Sequence, residues 1–396
     1  MFGQPLSQRA QRLLLFLVSL TAAAALAAAF VLLRAGPSTP PTPRADESDI
    51  ADYVGNEACR PCHAAEYAQY QASSHAHTLR RMSRAELGDQ TPPTGRINGS
   101  QYALLEQDDQ FYFEVNPPGM PDKYQLWPLD YVFGSGKSGL SFVSMLEGRN
   151  VVEMKMSYFP RERVWRVTPG QKLDNPAAAG NLGNLDQSRR CLGCHVIAMS
   201  RNTFVPRREF FGVGCESCHG PGRAHIAAVQ VHASDLKMAR LAQIGARELN
   251  TLCGKCHQTE KDVASSPVLA KMTYRFQPYG LMLSRCFRES GNRLSCLTCH
   301  SAHADISIGP ASYTGACLSC HSPDSVPPPN GGKSGKVCPV NAKSDCTTCH
   351  MPKRDMQFGP HNSTGIFLTE HRIGIYPAAD KRVSSVVPPT QPSFRP

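Results

Sequence analysis

Between Gly95 and Gly170 the sequence has neither cysteine nor histidine. That stretch offers no thiolate or imidazole to a metal, so any such chemistry lies elsewhere in the chain. No basic stripe interleaved with aromatic residues occurs either. The formal charge of +10 would otherwise suggest an anionic partner. Without such a stripe, nucleic acid is excluded as a partner.

The cysteines and histidines that are present fall into seven copies of one motif. They are Cys59-Arg-Pro-Cys62-His63, Cys191-Leu-Gly-Cys194-His195, Cys215-Glu-Ser-Cys218-His219 and Cys253-Gly-Lys-Cys256-His257. The remaining three are Cys296-Leu-Thr-Cys299-His300, Cys317-Leu-Ser-Cys320-His321 and Cys346-Thr-Thr-Cys349-His350. Cys-x-x-Cys-His is the signature of c-type haem attachment. Two thiols add across the haem vinyl groups, and the following imidazole reaches the iron from the proximal side. Zinc ribbons also pair Cys-x-x-Cys, but they do not require histidine after each second cysteine. With 14 His in 396 residues, seven coincidences have a probability on the order of 10⁻¹⁰. A thioredoxin-like pair would occur once, beside a βαβ pattern. The sequence thus predicts seven covalent haem c groups, whose propionates absorb much of the positive charge. It also lacks residues for an ordinary core between Cys191 and His371, with only about 30 per haem. The macrocycles must supply most of the buried surface there.

The expected organisation follows the composition. Residues 1–34 place Arg9 and Arg12 before an apolar run from Leu13 to Leu33, read as an N-terminal membrane anchor or signal. Residues 35–52 read as a Pro-rich tether, and 53–94 as a first haem segment with helix at Ala64-Ala-Glu-Tyr-Ala-Gln-Tyr-Gln71. Residues 95–172 read as a haem-free antiparallel β-module, from strand patterns at Tyr102–Glu106, Phe111–Val115, Tyr124–Trp127, Val151–Phe159 and Val164–Val167. Residues 173–376 form the six-haem domain, with helical spacing over Ala233–Cys253, and 377–396 a loosely held tail. Gly134-Ser-Gly-Lys-Ser-Gly139 is similar to a phosphate loop, but Tyr131 stands where that motif needs glycine, so a hairpin is expected.

Seven histidines remain for the distal side of the irons: His75, His77, His225, His232, His303, His361 and His371. A bis-His iron only passes electrons, whereas a five-coordinate iron has room for chemistry. His225 and His303 each follow a motif closely and are expected to serve a neighbouring haem, and His361 and His371 are further candidates. Of the close pair, His75 is favoured and His77 is read as exposed; His232 is read as a surface residue. Five distal histidines would leave one or two irons open unless Met82, Met351 or Met356 fills a site. Cys286 and Cys338 lie outside the motifs, and a disulfide between them is expected in an oxidising compartment, with thiolate ligation as the alternative.

These residues carry a resemblance. Gly214-Cys-Glu-Ser-Cys-His-Gly-Pro-Gly-Arg-Ala-His225 resembles the haem-plus-ligand signature of the multihaem family containing the nitrifier tetrahaem cytochrome and hydroxylamine oxidoreductase. Tyr53-Val-Gly-Asn-Glu-Ala-Cys-Arg-Pro-Cys-His63 with Ser74-His75-Ala76 is similar to that family's opening haem. So are Leu294–His303 and the closing Cys349-His-Met-Pro352 with Glu370-His371-Arg-Ile373. The likeness spans about Tyr53–Gln90 and Asn181–Tyr376. It implies a mainly α fold, with short helices and loops wrapped on stacked haems around the inserted β-module, behind the N-terminal membrane helix. It also implies His75, His225, His303 and His371 as distal ligands. Cys-x-x-Cys-Lys is absent, so the lysine-ligated haem of pentahaem nitrite reductases is absent; no tyrosine matches the crosslink of hydroxylamine oxidoreductase, whose activity is not carried over. The functional expectation is an exported, membrane-anchored electron conduit, periplasmic or on the outer face of the cytoplasmic membrane. Its expected partners are the membrane and a quinol-side complex or exported cytochrome. The alternative is an oxidoreductase acting on a small nitrogen or sulfur species at a five-coordinate haem.

Overall fold

The computed structural model describes residues 45–88, 93–120, 123–171, 175, 178–264, 270, 273–305, 311–325, 335–357 and 363–376. Ten strands gather between residues 79 and 182: β1 (Leu79–Arg81), β2 (Thr94–Ile97), β3 (Ser100–Gln107), β4 (Gln110–Asn116), β5 (Gln125–Pro128), β6 (Tyr131–Phe133), β7 (Leu140–Leu146), β8 (Asn150–Phe159), β9 (Val164–Val167) and β10 (Gly180–Leu182). Strands β11 (Lys353–Gln357) and β12 (Ser363–Thr369) form a separate pair near the C-terminus.

The strands make three antiparallel sheets. One runs β2-β3-β4-β5, and the larger runs β1-β6-β7-β8-β10, with β9 also paired to β8. Two-residue turns set the register of the first. Asn98 and Gly99 join β2 to β3, and Asp108 and Asp109 join β3 to β4, all four with positive φ, as turns matched to the twist of a hairpin require. In the larger sheet β8 is long enough to take two partners end to end: Val152–Met154 pair with β10, and Met156–Phe159 with β9.

Alternation along the strands decides what each face meets. Tyr102, Leu104, Phe111, Phe113 and Val115 from the smaller sheet pack against Val132, Phe142, Val152, Met154, Met156 and Trp165 from the larger one. The opposite face of the larger sheet offers Leu79, Tyr131, Phe133, Val143 and Val151, which pack on Leu192 and Val196. Leu192 is a spacer of the second motif and Val196 directly follows it, so the sheet acts as its platform. The glycine-rich stretch after Phe133 is the loop between antiparallel β6 and β7. Gly134 is needed there: its φ is 99°, and a Cβ would lie 2.3 Å from the Gly139 carbonyl oxygen. Lys137 in this loop forms an ion pair with Asp305, which also accepts from Ser74 Oγ at 3.1 Å.

The fold is therefore mixed α/β with three sizeable antiparallel sheets, and the expected mainly α architecture with a small β insert is corrected. The physical reason is that the sheet recruits flanking segments, Leu79–Arg81 on one side and Gly180–Leu182 on the other. The helices around the motifs are also short. The helix expected over Ala233–Cys253 begins only at Ala246, after Gly245, and ends at His257. The tether's end is docked: Asp49 accepts from Ser200 Oγ at 2.7 Å and from the Arg201 amide at 2.8 Å. The expected transmembrane helix is likewise corrected. No helix of the described residues is long and apolar enough to cross a membrane, and residues 1–34 lie outside the described residues. The membrane partner and membrane-anchored location were expected from residues 1–34, and no helix of the described residues supports them.

Candidate haem cavity

Each motif is a helical turn, the end of a longer helix or, in the first case, a hydrogen-bonded turn that follows the 3₁₀ helix Asn56–Ala58. In the first, the His63 and Cys62 amides both donate to the Cys59 carbonyl, at 3.0 and 3.2 Å. The third and seventh motifs are five-residue helices, Cys215–His219 and Cys346–His350. The fourth and sixth end the helices Ala246–His257 and Ala311–His321. Helical spacing of i, i+3 and i+4 brings both thiols and the imidazole to one face. That face meets a cavity of about 4330 Å³, several times the size of a single small-molecule site. Its wall includes all seven motif histidines and every motif cysteine except Cys349. His75, His225, His303 and His371 also line it. Among the described residues no three His, Cys, Asp or Glu side chains converge as a bare-metal site would require.

Across this space four imidazole pairs face each other. Ring centroids lie 6.4 Å apart for His63 and His225, and 6.2 Å for His219 and His303. They lie 6.3 Å apart for His300 and His371, and 6.4 Å for His257 and His75. An iron held between two imidazole nitrogens needs about 6.3 Å, taking a metal–nitrogen bond of about 2.0 Å and roughly 1.15 Å from nitrogen to ring centre. The residues fit haem.

The second ring nitrogens agree with that fit. Nδ1 of His195 pairs with the Thr78 carbonyl at 2.7 Å, that of His225 with Leu236 at 2.7 Å, and that of His321 with Lys336 at 2.8 Å. Nδ1 of His350 pairs with Gly374 at 2.7 Å, and that of His371 with Thr369 at 2.9 Å. An Nδ1–H bond to a carbonyl fixes the tautomer and leaves Nε2 for a metal. His77 is the reverse case, with Nε2 itself 2.7 Å from the Gln71 carbonyl oxygen. His232 is exposed in a turn, and His361 lies outside the described residues. Burial pushes the imidazoles of His75, His195, His219, His257 and His300 below their ordinary value, and that of His371 down to about 4. Neutral imidazole is the ligating form.

The chain is a multihaem c-type cytochrome. The family model for cytochrome c554 and c-prime matches residues 58–95 and 167–220, which hold the first three motifs of this cytochrome. The outer cell wall cytochrome OcwA is 18% identical and aligns over 81% of this chain and 79% of its own, with a TM-score of 0.44. The undecahaem cytochrome from the S-layer of Carboxydothermus ferrireducens is 16% identical, over 79% of this chain and 52% of its own, with a TM-score of 0.35. No curated protein sequence matches. The family match agrees with a multihaem c-type cytochrome and does not single out hydroxylamine oxidoreductase.

Motifs also meet one another within the cytochrome. Cys59 lies beside Cys215, Cys194 beside Cys256, Cys253 beside Cys296, and Cys317 beside Cys346. Cys286 and Cys338 are not joined by a disulfide. Both line the cavity, and Cys286 neighbours the motif thiols Cys299 and Cys320. Sequence reasoning missed Glu153, beside Cys191, whose carboxyl burial pushes up to about 7 against the pull of the Arg275 guanidinium. It sits in a strand-like run with no nearby motif, so no local signal marked it.

Proposed function

We propose that this cytochrome relays electrons through seven covalently attached haems, most of them six-coordinate. The observation that carries the reading is the set of four imidazole pairs spaced 6.2–6.4 Å apart. When bound, each haem supplies a one-electron iron couple. The motif cysteines hold the groups, and His63, His195, His219, His257, His300, His321 and His350 are the proximal ligands. His225, His303, His371 and His75 ligate opposite His63, His219, His300 and His257 respectively; His361 keeps its place as a proposed distal ligand. Thiol contacts support an order in which the first site adjoins the third, the fourth the fifth, and the sixth the seventh. Proximity of Cys218 to Cys253, and of Cys299 to Cys317, links these pairs into one run. The second site joins it at the fourth through Cys194 and Cys256. Attachment of haem c supports an extracytoplasmic location.

One observation favours a second reading, chemistry at an open site. His195 has no histidine facing it among the described residues, and its ring stacks on Phe133 at 4.3 Å. Electron paramagnetic resonance of the fully oxidised protein, integrated against total haem, separates the two. The relay predicts low-spin ferric signals for at least the four paired sites. His225→Ala and His303→Ala should each convert about one iron to high spin, while His77→Ala changes nothing. A wild-type high-spin signal that shifts with nitrite, hydroxylamine or sulfite supports chemistry at an open site. If neither alanine variant alters spin state, the assigned ligand pairs are wrong.

A further inference from the structure

Two asparagines occupy matching places that the haem-attachment chemistry does not explain. Asn56 precedes Cys59 by three residues and Asn250 precedes Cys253 by three, so the first and fourth motifs read Asn-x-x-Cys-x-x-Cys-His. In the other motifs that place holds Ser188, Gly212, Arg293, Thr314 or Lys343. Both asparagines are buried, at 8% and 0% exposure. Neither caps its own motif. Asn56 Oδ1 accepts the backbone N–H of Cys215 at 2.9 Å, and Asn250 Oδ1 accepts that of Cys296, also at 2.9 Å.

The recipients have something in common. Cys215 and Cys296 are first cysteines of their motifs, and each opens a helical turn whose leading N–H lacks an intrahelical partner. Each is also the cysteine whose sulfur touches the first cysteine of the asparagine's own motif: Cys59 with Cys215, and Cys253 with Cys296. The carboxamide is fixed at its other end. Asn56 Nδ2 donates to Tyr70 Oη at 3.0 Å, and Asn250 Nδ2 donates to the Leu294 carbonyl at 3.4 Å. Gly214 completes the first arrangement, since a Cβ there would lie 2.1 Å from Asn56 Oδ1. Its φ of −97° suits any residue, so only the asparagine side chain calls for glycine.

We infer that Asn56 and Asn250 are positioning residues that clamp the first-cysteine edges of two haem sites together, first to third and fourth to fifth. The inference rests on the relay reading. A hydrogen bond across the contact fixes the separation of two redox sites, and both electron passage and the Coulomb coupling between sites depend on that separation. The repeated use of one device marks two equivalent two-haem units within the run.

The test uses the full protein, with haem counted first so that every variant compared carries the wild-type complement. N56A and N250A should each lose the spin-coupled ferric signal of one pair and shift its midpoints in a spectroelectrochemical titration, leaving the other pair unchanged. G214A should reproduce N56A, because the added methyl displaces the carboxamide. N56D keeps the accepting oxygen and can still meet the Tyr70 hydroxyl, so it should keep the wild-type spectrum. Should an alanine variant fail to mature, N56S or N250S, too short to reach, replaces it. If the wild type has no low-spin signal, the relay reading itself fails. If the wild type is low-spin and these variants lower only the melting temperature, the asparagines are merely structural and the clamp is overturned.

Discussion

Replacing Glu216 by alanine is expected to cost roughly 3–6 kcal/mol of stability, because three buried N–H groups lose their acceptor at once. Glu216 is the first spacer residue of the third motif and is 3% exposed. Its Oε1 accepts from the Gly222 amide at 2.7 Å and the Val54 amide at 3.0 Å, and its Oε2 from the Gly55 amide at 2.8 Å. One carboxylate thus ties the segment entering the first motif to the loop leaving the third. Glu216→Gln should cost less, since it keeps the shape but turns an amide donor toward one of those N–H groups. Burial pushes the Glu216 carboxyl above its ordinary value, and the backbone donors only partly reverse this. The folded chain then holds that proton more tightly than the unfolded one. The stability this confers is full below the ordinary glutamate value and falls as pH rises through the raised one. Glu216→Gln should remove that slope. Denaturant unfolding across pH measures both effects, and an alanine cost below about 1 kcal/mol would mean water satisfies the three amides instead.

The parts of this molecule that were legible in its sequence are those where covalent chemistry dictates spacing. Seven Cys-x-x-Cys-His runs are readable because two thiols and an imidazole must share one helical face. The long strands were readable too, from the alternation at Phe111–Val115 and the apolar run at Val151–Phe159. What was not legible depends on contacts between distant segments. Leu79–Arg81 and Gly180–Leu182 are three residues each, too short to carry a period, and become strands only because β6 and β8 offer open edges. A mainly α fold was expected because the resemblance lies in the haem segments, and a pattern of motifs says little about the sheet that supports one of them. His75 and His77 are equivalent in composition, and only the fold sets His75 6.4 Å from His257 while turning His77 Nε2 to the Gln71 carbonyl. Glu216 is hidden inside a motif whose spacers accept almost any residue. The Asn-x-x-Cys pattern was visible, but its meaning lies in the partner motif some 160 or 46 positions away.

Withholding haem is expected to leave residues 185–376 without stable tertiary structure while the sheets between residues 93 and 182 persist. The β region has its own core, a cluster of seventeen buried apolar side chains spanning both sheets. A fully buried Val, Leu, Ile, Phe or Met contributes about 1.5–3 kcal/mol, and none of these contacts depends on a cofactor. Among the described residues the motif-bearing part has nothing comparable. Its own apolar clusters are Val263 with Phe276, and Ile197 and Phe210 with Ile50. Its walls otherwise face the 4330 Å³ cavity, which without macrocycles would be filled by water against apolar surface. Hydrogen exchange on protein made without haem attachment reads this directly. Slow amides should be confined to β3, β4, β7 and β8, and those of Ala246–His257 and Ala311–His321 should exchange at the rate of an unfolded chain. Protection in those two helices would mean that their short contacts suffice, and that the cofactors are guests in a preformed fold. Loss of protection in the β sheets as well would mean that Leu192 and Val196, packed on the sheet's second face, couple its stability to the second haem site.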